Sequence, residues 1–106
     1  MRQFDLLENA SMSTVNVAEA HGKLVGRGIG SEDAWEAVTA PIPEIIDFDA
    51  KQAKIAGDLL PQTRSLGLSL GDRACLALGI ALKAPIYTAD RAWNKLSVGV
   101  LIHVIR

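Results

Sequence analysis

Apolar positions recur along the chain with helical and strand periods that alternate. Residues 2 to 9 carry Phe4, Leu6 and Leu7 and read as the tail of a helix. Ala10 to Ser13 is a short extended link with strand character. From Ser13 or Thr14, either of which can cap, a helix is predicted to about Arg27, with a buried stripe of Val15, Val17, Ala18, Leu24 and Val25. Gly26, Gly28 and Gly30 stop it. Ser31-Glu-Asp-Ala-Trp reads as a fresh cap with acids in the first turn, opening a short helix to about Thr39.

Pro41 and Pro43 break the chain before a short strand, Glu44-Ile-Ile-Asp-Phe. A helix follows from Ala50 to about Leu60; Pro61 kinks or restarts it, and Gly67 ends the continuation after Leu66. Asp72 to Lys83 is apolar nearly all round, as for a helix packed on several sides, with Leu76, Leu78, Ile80 and Leu82 as core. Ile86-Tyr-Thr is a strand, Arg91 to Leu96 a short helix and Val100 to Ile105 a last strand. Strands alternating with helices predict an α/β domain with a mostly parallel sheet. Such a domain usually opens on a strand that becomes central, whereas this chain opens within a helical pattern.

The bulk numbers narrow the class. At 106 residues, 49% hydrophobic and net charge −1, the composition is that of one soluble globular domain, not a disordered chain or a generally basic nucleic-acid binder. Cys75 is the only cysteine, so no disulfide framework is possible and a reducing cytoplasm is the expected compartment. No apolar run approaches the roughly 20 residues that span a bilayer. The N-terminus lacks the apolar core of a signal peptide.

The chemistry concentrates at Asp72 and Asp90. One opens an apolar helix and the other follows a strand, two positions that face the crevice at the carboxyl edge of an open α/β sheet. Two acids aimed at one crevice repel unless a divalent cation or a shared proton offsets the repulsion. Each has a plain structural alternative. Ser69 with Asp72 three residues on is a capping-box pattern, and Asp90 can cap the helix that carries Trp93. Glu19, one turn after Asn16, is either a third acid or a solvated glutamate. Arg73 and Arg91 directly follow the two aspartates and read as ordinary surface charges or as a cationic rim for a phosphodiester backbone, which Lys23, Arg27 and Lys95 would extend. His21 and His103 have no ligand-spaced partner. Arg27-Gly-Ile-Gly follows a helix and lacks the lysine of a phosphate loop. Trp35 and Trp93 are expected to pack the core.

Met12-Ser-Thr-Val-Asn-Val-Ala-Glu19, Leu68-Ser-Leu-Gly-Asp72-Arg-Ala-Cys-Leu-Ala-Leu-Gly and Tyr87-Thr-Ala-Asp90-Arg-Ala-Trp93 together resemble, in order and separation, the segments of PIN domains that carry their second, third and fourth acids. The VapC branch, toxins of bacterial type II toxin–antitoxin pairs, is the most similar. The resemblance implies a PIN-like three-layer α/β/α fold with a small, mostly parallel sheet. It also implies a Mg²⁺- or Mn²⁺-dependent ribonuclease, a VapB-like antitoxin whose C-terminal segment crosses the active site, and a homodimer. Glu19, Asp72 and Asp90 would be the catalytic, metal-binding acids. Asn16 and Thr88 would orient carboxylates or water, and Arg73 and Arg91 would contact RNA.

The chain departs from that pattern in one respect. PIN domains open on a strand ending in aspartate, and nothing ahead of Ser11 matches it; Asp5 lies in the helical Phe-Asp-Leu-Leu-Glu. The expectation is a single domain, residues 1–106, that lacks its first central strand and first acidic ligand. A misassigned start or a fragment is favoured over a decayed gene or a true truncation, and metal affinity and activity are expected to be impaired as the chain stands. The alternative is a non-catalytic PIN-like module that binds an antitoxin or another partner.

Overall fold

A computed structural model describes residues 11–83, 86–88 and 102–104. The chain divides after Asp47 into two compact units.

In the first unit, strand β1 (Ser11–Ser13) runs directly into helix α1 (Thr14–Gly26). Ser13 serves both elements. Its extended backbone ends the strand, and its buried hydroxyl accepts the Val15 N–H at 3.2 Å, occupying one of the free donors at the helix start. The far end closes in a Schellman motif. Ile29 N–H donates to Leu24 O at 3.1 Å and Gly28 N–H to Val25 O at 2.9 Å, with Gly28 at φ +94°, a region open to glycine at little cost. Helix α2 (Ser31–Thr39) packs on α1, and strand β2 (Glu44–Ile46) pairs in parallel with β1, Ser11 opposite Glu44 and Ser13 opposite Ile46. Ser11 Oγ donates to Glu44 Oε1 at 3.1 Å, tying the strand starts.

The second unit opens with helix α3 (Ala50–Asp58), capped by Asp49, whose Oδ1 accepts the Gln52 N–H at 2.9 Å. Pro61 lies in the first turn of a short helix, α4 (Leu60–Thr63); a 3₁₀ turn over Arg64–Leu66 follows and ends at Gly67 with φ +66°. Helix α5 (Leu70–Leu82) packs against α3. Ala56 of α3 and Gly71, Ala74 and Ala77 of α5 are all buried, small residues that let two helices approach closely. Leu59 and Leu76 form the core beside them, with Ile55, Leu68, Cys75 and Ile80 packed around it. Strands β3 (Ile86–Thr88) and β4 (Ile102–Val104) form a second parallel pair, with Ile86 opposite Ile102.

The α/β class and the parallel strand direction match the expectation, and the helix and strand bounds fall within a few residues of those predicted. Four details differ. Gly30, not Ser31, is the N-cap of α2, with an extended backbone and no side-chain cap. In the predicted stripe of α1 only Val17 is fully buried; Ala18 is exposed and Val25 is 43% exposed. Trp35 is 47% exposed and stands edge-on to His21, ring centroids 5.5 Å apart, instead of entering the core. Leu82, at the last turn of α5, is 48% exposed. The helices expected over residues 2–9 and 91–96, including Trp93, lie outside the described residues.

Candidate functional site

Asp72 occupies the third position of α5, and its setting is built by local sequence. Ser69 adopts an extended backbone, its Oγ accepts the Asp72 N–H at 3.2 Å, and Asp72 Oδ2 accepts the Ser69 N–H at 2.9 Å. This reciprocal capping box satisfies two donors and holds a carboxylate at the positive end of the helix dipole. The structural alternative read from the sequence is therefore realised, and it does not use up the group. Oδ1 makes no hydrogen bond among the described residues, so it is free to meet a cation, a water or a donor.

Arg73 turns inward. Its guanidinium Nη1 donates to the backbone carbonyl of Ala56 at 3.1 Å, in the last turn of α3, and Nε is buried without a partner among the described residues. One turn into the helix, burial and then the nearby Asp72 charge push the Cys75 thiol up to about 11. It is a packing residue and not a nucleophile.

In the first unit, Glu19 is exposed on α1, with Asn16 half-buried one turn before it. Lys23 and Arg27 are exposed towards the end of α1. Thr88 is the last residue of β3, opposite Val104. Asp90, Arg91 and Lys95 lie outside the described residues. Thus Glu19 belongs to one unit and Asp72 to the other, and among the described residues no three His, Cys, Asp or Glu side chains gather as a metal site. Asp72 fits a hard cation through its free oxygen; the full donor set is not assembled by the described residues alone. No described helix is long and apolar enough to cross a membrane.

Sequence reasoning missed the destination of Arg73. The carbonyl that receives it lies 17 residues away on another helix, and backbone acceptors carry no signature in residue type.

No family model matches the chain, and no curated protein is significantly similar to it in sequence. Among solved structures, the crystal structure of VapBC2 from Rickettsia felis, bound to a DNA fragment from their promoter, contains a similar chain. The TM-score is 0.70 at 21% identity, over 95% of this chain and 80% of that one. The protein therefore has a fold found in the VapBC2 structure.

Proposed function

We propose that the protein is the toxin component of a VapBC-type pair, a Mg²⁺- or Mn²⁺-dependent endoribonuclease held in check by a VapB-like antitoxin. One observation carries the reading. In a fold shared with a chain of a VapBC structure, Asp72 stands at the start of a buried helix with one oxygen anchored and the other without a hydrogen bond among the described residues. Asp72, Asp90 and Glu19 are the acids proposed for the site, with Asn16 and Thr88 orienting them and Arg91 meeting RNA. A bound hard cation would polarise the scissile phosphate and activate water. The contribution of the chain itself is orientation: the Ser69 N–H holds Oδ2 at the start of the helix.

A second reading is a binding module that engages an antitoxin through the same fold without catalysis. The two separate in one assay. The purified chain is incubated with single-stranded RNA and Mg²⁺, with and without chelator. Cleavage that the chelator abolishes supports the nuclease. Antitoxin binding with no cleavage at any Mg²⁺ or Mn²⁺ concentration supports the module.

A further inference from the structure

We propose that Arg73 is a positioning residue for Asp72 and acts from inside the fold instead of on an RNA-binding rim. The inference rests on the reading of Asp72 as a site acid. Three contacts form a continuous path. Asp72 Oδ2 accepts the Ser69 N–H at 2.9 Å, Ser69 O accepts the Arg73 N–H at 3.0 Å, and Arg73 Nη1 reaches Ala56 O at 3.1 Å.

Each link has a physical reason. Ala56 lies in the last turn of α3, where carbonyls lack the next N–H of a continuing helix, and the chain breaks there before Pro61. A guanidinium is a strong donor for such a carbonyl, and its charge suits the negative end of the α3 dipole. The small buried residues Ala56 and Ala74 keep the helices near enough for the contact.

Successive residues of a helix lie about 100° apart around its axis. With Arg73 pinned to α3, the rotation of the first turn of α5 is set, and the direction of Asp72 is set with it. The same geometry removes Arg73 from the rim, because Nη1 is engaged and Nε is buried.

The test compares Arg73→Met, which keeps the stem and removes the donors, with Arg73→Lys, whose ammonium can still reach the carbonyl. Two readouts are taken: kcat and KM for RNA cleavage, and the hydrogen-exchange protection of the Ser69 amide by NMR. Arg73→Met is expected to lower kcat by about 10-fold or more at unchanged KM, as for other residues that orient a site carboxylate. It also lowers the protection of the Ser69 amide, and Arg73→Lys restores most of both. Removing a buried unpartnered Nε offsets part of the lost hydrogen bond, so the thermal midpoint should move little.

A raised KM with kcat and Ser69 protection unchanged overturns the inference and makes Arg73 a rim residue; no change in any readout also overturns it. Arg73→Gln, with a neutral donor, gives the same reading if Arg73→Met does not fold. Asp72→Asn separates the two levels. If it cleaves like wild type, the reading of Asp72 fails; if it is inactive while Arg73→Met is normal, only the present inference fails. Should wild type not cleave RNA, calorimetric Mn²⁺ titration of wild type and Asp72→Asn decides the reading of Asp72, which fails if binding is the same in both, and Ser69 protection still decides whether Arg73 fixes its carboxylate.

Discussion

Ser69→Ala and Asp72→Asn perturb the two halves of one capping box, and they should separate its stability from its chemistry. Ser69→Ala deletes the hydroxyl that accepts the Asp72 N–H at 3.2 Å. Loss of an N-cap side chain costs about 1 kcal/mol, within a range of roughly 0.5–2 kcal/mol. For a chain of this size, about 1 kcal/mol lowers Tm by roughly 4–8 °C. Asp72→Asn keeps an oxygen within reach of the Ser69 N–H, now 2.9 Å from Oδ2, and loses only the charge facing the helix dipole. That term is about 0.3–1 kcal/mol at an exposed helix end. Ser69→Ala should therefore be the more destabilising and Asp72→Asn the more damaging to RNA cleavage. The double variant should be less destabilised than the sum, because both bonds belong to one pair. Thermal unfolding followed by circular dichroism, with cleavage assayed on the same preparations, measures all of this. The reasoning fails if Asp72→Asn lowers Tm more than Ser69→Ala. It also fails if Ser69→Ala shifts Tm by less than about 1 °C, since the box would then contribute almost nothing.

Leu76 is fully buried beside Leu59, so Leu76→Ala should cost about 2–5 kcal/mol, read as a lower urea midpoint at unchanged slope. Two left-handed positions predict opposite signs. Lys83, at φ 54°, closes α5 without glycine, so Lys83→Gly should raise stability by about 0.5 kcal/mol, whereas Gly67→Ala, at φ 66°, should lower it by about 1 kcal/mol. Thermal midpoints decide both. The Cys75 thiol, raised from 9.0 to about 11, stays protonated in the fold after the unfolded chain has begun to ionise. The folded state then binds more protons, so stability falls as pH rises from about 9 to about 11, by about 2–3 kcal/mol in all. Cys75→Ala should flatten this alkaline decline, and equal slopes in the two proteins would refute the assignment.

The parts of the fold governed by local rules could be read from the sequence. Ser69 with Asp72 announced the start of α5, Pro61 the break after α3, and the Gly-rich turn the end of α1, because caps and breakers act through neighbours a few residues away. Gly30 displaced Ser31 as a cap by one residue, where both types are acceptable. Facing was less legible. Trp35, Val25 and Leu82 satisfy an apolar period yet stand 43–48% exposed, since a period reveals a stripe but not what covers it. Among the site residues, the dual nature of Asp72 was visible as two alternatives, and the structure shows the cap half of it. The inward turn of Arg73 was invisible because its partner is a distant backbone carbonyl.

The most direct test of the account is the RNA-cleavage rate of Asp72→Asn beside wild type, in Mg²⁺ and at a temperature where both are folded by circular dichroism. The capping geometry predicts a variant that remains folded and cleaves at least about 100-fold more slowly, as expected when a group acting in the transition state is lost. A folded Asp72→Asn chain that cleaves at the wild-type rate would reduce Asp72 to a helix cap and contradict the proposed function.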